Sequence, residues 1–149
     1  MIKRYNADLD VIDGNSFPTT VEFFANRVWL SGDPLLPNTV YFCQSIVDDT
    51  DIQRFHQEAD PLEPEDPDLV DDDGGLFELQ GGGRVYGLLA MTGQIYIGSD
   101  LGIHEVKGPS GVFKATDFSA TMVLTDGVLG PGNMIRTERE FMVFGRSSV

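Results

Sequence analysis

Residues 94–99 read Gln-Ile-Tyr-Ile-Gly-Ser, and this stretch decides the fold because its apolar side chains occupy consecutive positions. A strand that exposes one face alternates apolar and polar residues, whereas a strand covered on both faces does not. Ile95, Tyr96 and Ile97 therefore predict a strand that lies between two other layers. Short apolar runs of this kind, separated by 17 glycines and 8 prolines in 149 residues, are typical of an all-β domain.

The same type of strand occurs three times. Each copy has a polar first residue, apolar residues on both faces and small residues near its end, and the copies are Arg27-Val28-Trp29-Leu30-Ser31-Gly32, residues 94–99 and Glu140-Phe141-Met142-Val143-Phe144-Gly145. Trp29 and Tyr96 are 67 positions apart, and Tyr96 and Met142 are 46 apart. If an insertion of roughly 18 to 20 residues is removed, the first spacing comes near the second. A period of this size matches propeller blades, which repeat about every 40 to 50 residues. We therefore predict antiparallel blades of an incomplete or multi-chain β-propeller, with a β-sandwich as the alternative.

Other runs of β-branched and aromatic residues also predict strands. The full set of predicted runs is Val21 to Ser31, Thr39 to Gln44, Arg84 to Met91, Gln94 to Gly98, Ile103 to Lys107, Thr121 to Thr125 and Glu140 to Gly145. Turn-forming residues at 91–94 and 99–102 predict two hairpin links. Residues 1–20 are assigned to an N-terminal lead-in and residues 21–149 to the propeller-like domain. Because propellers have about 4 to 8 blades, we expect other chains or a longer polypeptide to complete the fold.

Most of the negative charge lies in one segment. The chain carries a formal charge of −14, and residues 48–73 contain 12 acidic residues against Arg54 alone. Residues 59–68 carry three prolines and no hydrophobic periodicity, so they predict a solvated acidic loop, inserted at about residues 48–75. Phosphate backbones and anionic lipids repel such a chain, so a basic nucleic-acid-binding surface is not expected.

The acidic segment is also where a cation site would be sought, because Ca²⁺ prefers oxygen ligands. An EF-hand loop needs glycine at its sixth position and glutamate at its twelfth, but placing Gly74 sixth puts Leu69 first and Gln80 last. We favour a solvated run of charge over a metal site. The weak candidates for a looser site are Asp71, Asp72 and Asp73.

No pattern predicts catalytic or cofactor-binding residues. His56 and His104 are the only histidines, and neither has a second histidine or a cysteine at the spacing of zinc ligands. His104 lies between apolar residues of a predicted strand, which predicts a surface or blade-edge histidine. Trp29 is predicted to be a core residue, and residues 81–84 lack the Lys-Ser/Thr of a phosphate loop. We predict that the protein is not an enzyme; a sugar-active enzyme is the remaining enzymatic alternative, because carboxylate separation depends on the fold.

Neither a signal peptide nor a membrane anchor is predicted. The first eight residues turn polar after Ile2, and the longest apolar run, Val85 to Met91, is too short to span a bilayer. Cys43 is the only cysteine, which leaves no intrachain disulfide and fits a reducing compartment.

Several segments resemble one family of viral structural proteins. Residues 23–32, Phe-Phe-Ala-Asn-Arg-Val-Trp-Leu-Ser-Gly, and residues 37–42, Pro-Asn-Thr-Val-Tyr-Phe, are similar to a recurring segment of podovirus tail nozzle proteins, the tail tubular protein B family. Residues 87–89 and 94–106 resemble the next hairpin of that family, and residues 123–128 resemble the segment after it. The resemblance extends over residues 20–145 and includes no catalytic signature.

The resemblance implies a structural virion component, a tail nozzle subunit of a short-tailed bacteriophage. It implies a ring of six copies below the portal and the tail adaptor, located in the phage tail after synthesis in the host cytoplasm. Such a ring lines the channel through which DNA leaves without tight binding, and it holds fibres or spikes outside. The alternative is a free-standing acidic binding module that recruits a protein or a cation through residues 48–73.

A nozzle wall is expected to be acidic or neutral. Lysine-rich walls bind phosphates with release of counterions, and each such contact would slow DNA exit. Acids near strand ends and hairpins are the candidates for this wall, and examples are Asp100, Glu105 and Glu138.

Overall fold

The computed structural model describes residues 17–55, 69–81, 83–138 and 140–145. These residues form antiparallel sheets, so the predicted all-β fold class is confirmed. The first sheet contains β1 (Thr20–Phe24), β2 (Arg27–Ser31), β3 (Thr39–Phe42) and β4 (Gly75–Glu78). The second contains β5 (Val85–Met91), β6 (Gln94–Ser99), β7 (Ile103–Lys107) and β8 (Ser119–Leu124). The third is a pair, β9 (Met134–Arg136) and β10 (Phe141–Val143), and a 3-10 turn spans Asp51–Gln53.

The run from Val21 to Ser31, predicted as one strand, is a hairpin. Ala25 and Asn26 both have positive φ, 51° and 57°, and they form a two-residue turn between β1 and β2. Hairpins favour this turn because its twist matches that of the strands, and asparagine tolerates the left-handed region. The Asn26 side chain also donates a hydrogen bond to the carbonyl of Ile46 at 2.8 Å. The turn could not be predicted from the sequence, because neither of its two central residues is glycine.

The remaining predicted runs are strands with small differences in their bounds. β4 and β9 were not predicted, since each is short and follows loop-like sequence. β1 begins at Thr20, the last residue of the predicted lead-in, and β4 begins at the end of the predicted insertion. The insertion lies between β3 and β4, which are linked by residues 43–74, whereas residues 108–118 link β7 to β8. Its residues 56–68, with His56 and most of the predicted acidic loop, lie outside the described residues.

The first and second sheets pack face to face around an aromatic core. We call the face of a sheet that points to the next sheet in the chain its front, and the opposite face its back. Trp29 on the front of the first sheet is fully buried, as predicted, and its ring centroid lies 4.7 Å from that of Phe113 and 5.2 Å from that of Phe42. The back of the second sheet covers it with Leu88, Ala90, Ile95, Ile97 and Val106.

The third sheet packs on the front of the second. The rings of Tyr96 and Phe141 lie 4.5 Å apart, and Met134 lies over Gly87 and Gly98. Ile95 and Ile97 therefore point to one neighbouring sheet and Tyr96 to the other. This confirms the prediction that β6 is covered on both faces.

The first strands of the three sheets are neighbours. β1 lies beside β5, where Thr20 Oγ1 accepts the backbone N–H of Leu88 at 3.2 Å and Glu22 Oε2 accepts that of Ala90 at 3.1 Å. β5 in turn lies beside β9. The three repeated segments supply β2, β6 and β10, the second strand of each sheet. Sequential strand order of this kind is compatible with both the propeller and the sandwich alternatives.

Candidate functional site

The side chain of Arg27 clamps both ends of the insertion. Arg27 is the first residue of β2, and the positive-φ turn before it directs its side chain into the front of the first sheet, where it is 1% exposed. Its Nη1 donates to the carbonyls of Cys43, at 2.8 Å, and of Asp72 and Asp73, while Nη2 donates to that of Asp71 at 2.6 Å. One guanidinium therefore ties the start of the insertion to its end.

The surroundings of this guanidinium are largely apolar. Its central carbon lies 5.7 Å from the ring centroid of Phe42 and 5.5 Å from that of Phe113, a geometry in which aromatic faces attract cations. Burial lowers the pKa of Arg27, and the carboxylate of Asp72, 4.0 Å away, opposes that shift. The guanidinium remains charged, because arginine loses its proton only at strongly alkaline pH. The buried charge is compensated by carbonyl dipoles and not by a close carboxylate.

The candidate cation ligands do not converge on one point. The carboxylate of Asp71 accepts hydrogen bonds from Lys114 Nζ, at 2.6 Å, and from the hydroxyl of Thr116. The side chain of Asp72 is 82% exposed. The carboxylate of Asp73 accepts the backbone N–H of Val70 at 2.9 Å. The Lys114 ammonium is the main reason why the pKa of Asp71 is held below its ordinary value. Within the described ranges, no group of three or more His, Cys, Asp or Glu side chains is placed to hold a metal ion.

Acidic residues at the start of the insertion cap its turns. Asp51 Oδ2 accepts the backbone N–H groups of Val47 and Asp48, both at 2.8 Å. Hydrogen bonds from Thr50 lower the pKa of Asp48. The described acidic residues at the start of the insertion therefore stabilise its turns through Asx-type hydrogen bonds.

His104 is buried, which corrects the prediction of a surface or blade-edge histidine. It lies on the back of β7, opposite Ile97 of β6, and is 2% exposed. The back of the second sheet faces the first sheet, so the imidazole lies under the chain that follows β4, and its Nε2 is 3.3 Å from the carbonyl of Gln80. The alternation of the sequence did not show that this face would be covered.

The acids proposed for a channel wall do not share one surface. Asp100 lies in the β6–β7 turn, where its Oδ1 accepts the backbone N–H of Arg84 at 2.8 Å. Glu105 lies on the front of β7 and forms an ion pair with Lys107 at 2.6 Å. Glu138 lies at the opposite end of the sheets from Asp100, beside the β5–β6 turn.

An open groove of about 790 Å³ lies where the hairpin tips of the three sheets meet. Phe24 and Met91 line it beside the β1–β2 and β5–β6 turns, and Phe113 lines it from the β7–β8 link. Arg136 and Glu138 line it beside the β9–β10 turn. Arg136 donates from Nη1 to the carbonyl of Ala90 at 3.1 Å, so its position is fixed by the second sheet. The described lining of the groove is mainly apolar, and its basic side chain is that of Arg136.

Both ends of the stack of sheets expose apolar side chains. Val21 and Phe23, on the back of the first sheet, are 66% and 57% exposed. Ile135 and Met142, on the front of the third sheet, are 48% and 49% exposed. In the middle of the first sheet's back, by contrast, Leu30 and Tyr41 are buried. Exposed apolar patches of this kind are typical of interaction sites.

Sequence reasoning identified Trp29 and the repeat but missed the roles of Arg27 and of the stack ends. In the sequence, the Asn26-Arg27 pair stands out only as part of the segment that carries the family resemblance. Comparisons of the chain with protein-family models, curated proteins and solved structures found no match. The described residues contain no helix that is long and apolar enough to cross a membrane.

Proposed function

We propose that the chain is a structural virion component, a tail nozzle subunit that forms part of the DNA exit channel of a short-tailed bacteriophage. The observation that carries this proposal is the pair of exposed apolar faces at opposite ends of the stack. A protein that works alone gains nothing from two such faces, whereas an assembly subunit buries both against its neighbours. The work of the chain is then to build a wall and not to catalyse a reaction.

The sheets are the blades of a propeller-like wall that several chains complete. The neighbouring positions of β1, β5 and β9 support this architecture, because the first strands of successive propeller blades lie nearest the common axis. The third sheet has two strands where the others have four. A ring of six copies, with the tail adaptor on one side and fibres or spikes outside, satisfies both stack ends of every copy.

The charge of the chain suits a channel that DNA crosses without tight binding. At a net charge of −14, the surface repels phosphates instead of gaining affinity from counterion release. Near physiological salt this repulsion decays over about 8 Å, so it keeps DNA from the wall without closing a wide channel.

Labelled virions test the proposal. A short epitope tag is inserted at Gly111, where an added Cβ would have nothing within 4 Å. Gold-labelled antibody should then mark the tail of purified particles, and a cryo-EM map of the tail should hold the chain around the channel. A chain that is missing from purified particles, or that is found on the capsid, would refute the proposal.

A binding module is the second candidate, and the Arg27 clamp favours it. The clamp holds together residues 43 and 71, which flank the acidic segment on its two sides. Replacing residues 58–66 by a Gly-Ser linker of equal length should leave a nozzle subunit able to assemble. If the loop recruits a cation, the same replacement abolishes calcium binding measured by calorimetry, and an unaltered chain that binds no calcium excludes this version.

A further inference from the structure

We infer that copies of this chain associate head to tail, with the front of the third sheet of one copy packed on the back of the first sheet of the next. The partner is a second copy of the same chain. The inference rests on the proposed function only for the closure of such contacts into a ring. The contact itself follows from the way the sheets already stack within one chain.

The repeated segments place equivalent residues on equivalent faces. Trp29, Tyr96 and Met142 occupy the same position of the repeat, and each lies on the front of its sheet. Trp29 is covered by the second sheet, and the ring of Tyr96 is in contact with that of Phe141 in the third. Met142 is the member of this set that remains half exposed.

The residues before them show the same rule on the opposite face. Val28, Ile95 and Phe141 precede those three positions, and each lies on the back of its sheet. Ile95 is covered by the first sheet and Phe141 by the second. Val28 lies on the one back that has no preceding sheet within the described residues, beside Val21 and Phe23.

Within the chain, every contact between sheets therefore joins a front to the following back. Among the described residues, this rule leaves two surfaces without a neighbouring sheet. They are the front of the third sheet, where Ile135 and Met142 are exposed, and the β1 side of the first sheet's back, where Val21 and Phe23 are exposed. A second copy supplies the missing back for the first of these and the missing front for the second.

A front-to-back contact joins two different surfaces, so it is heterologous. Such contacts continue from copy to copy and form a ring if the rotation between copies closes, or an open chain if it does not. An isologous dimer would instead bring two fronts or two backs together. This difference makes the inference testable with variants that block one surface each.

Three variants of the full chain separate these outcomes in sedimentation velocity. The front variant carries Ile135→Asp and Met142→Asp, and the back variant carries Val21→Asp and Phe23→Asp. The control, Leu101→Asp, places a single negative charge on a side chain that is 49% exposed in the β6–β7 turn, away from both surfaces. Trp29 fluorescence and far-UV circular dichroism establish that each variant keeps the native core.

We expect the unaltered chain and the control to form species larger than a monomer, which grow with concentration. The front and back variants should each be monomeric when alone. An equal mixture of the two should give a 1:1 dimer and nothing larger, because one intact front and one intact back remain. Formation of that dimer also shows that both variants are folded.

Three results would overturn the inference. The first is a mixture that stays monomeric while both variants keep the native spectrum. The second is a front or back variant that self-associates as well as the unaltered chain, and the third is an unaltered chain that is monomeric at about 100 µM. Failure of the nozzle proposal is separate: virions without the chain leave head-to-tail association intact. Labelled tails with no such association would retain the nozzle and reject this contact.

Discussion

The two interfaces between sheets use the same positions of a sequence repeat, but they are built from different materials. Between the first and second sheets, Trp29 is surrounded by the aromatic side chains of Phe24, Phe42, Phe77 and Phe113. Between the second and third sheets, Gly87 and Gly98 leave a shallow space that Met134 fills, and one aromatic pair, Tyr96 and Phe141, lies beside it. The first interface is four strands wide and the second only two.

The comparison teaches that a repeat can specify which faces meet without specifying how firmly they are held. The first interface buries large rings, and aromatic rings contribute most of the energy in such cores. The second depends on close approach over glycine, where shape matters more than buried area. We therefore expect the first interface to govern global stability and the second to be a local, adaptable layer.

Trp29→Ala should have the largest effect. Removing a fully buried tryptophan, together with its indole N–H bond to the carbonyl of Phe24 at 3.0 Å, should lower the free energy of unfolding by about 4 kcal/mol. Phe141→Ala, the matched change in the second interface, should cost about 1.5 kcal/mol because that ring is only partly buried. Urea denaturation of both variants measures the difference, and equal losses would contradict the comparison.

Arg27→Met should cost about 3 kcal/mol, because it leaves several buried carbonyls without their donor. The methionine keeps much of the volume between Phe42 and Phe113, so the loss reports on hydrogen bonding. Arg136→Met removes one bond to Ala90 at the second interface and should cost about 1 kcal/mol. Proteolysis should also become faster within residues 43–74 of the Arg27 variant alone; unchanged cleavage there would refute the clamp.

Gly98→Ala should lower stability by about 2 kcal/mol through overpacking of the second interface. An added Cβ would lie 2.7 Å from Val128 Cγ2 and closer still to the sulfur of Met134. Combining it with Met134→Ala should restore part of the loss, since the two changes share one space. If the double variant is less stable than the sum of the single changes predicts, the third sheet does not pack as described.

The smallest effect is expected at the rim of the first interface, where Asp71 bonds to Lys114. Because the folded pKa of Asp71 is held below its ordinary value of about 3.9, its stabilisation is present above that pH and is lost as pH falls through the folded pKa. Asp71→Asn should therefore lower the urea midpoint slightly at pH 7, and this difference should shrink as the pH falls below the ordinary pKa of an aspartate. The difference in urea midpoint should shrink in about 1 M salt, because an exposed ion pair is strongly screened. It should vanish in a Lys114→Met background, because the charged partner of Asp71 is then absent.

The fold class and much of the strand pattern could be predicted because they depend on local sequence. Turn formers between residues 91 and 94 and between 99 and 102 predicted two hairpin links that the structure confirms. The hairpin at Ala25 and Asn26 was missed because asparagine, and not glycine, carries the left-handed turn there. β4 was missed because its pairing with β3 spans the whole insertion, and no local pattern reports such a distant partner.

By itself, the sequence determined that the chain is all-β, that one strand type recurs and that β6 is covered on both faces. These properties follow from residue type and spacing along the chain. Only the tertiary structure decided that Arg27 joins residues 43 and 71–73, that His104 is buried and that two apolar faces stay exposed. The physical reason is that burial and carbonyl partners depend on which sheet covers which, and those contacts link residues far apart in sequence.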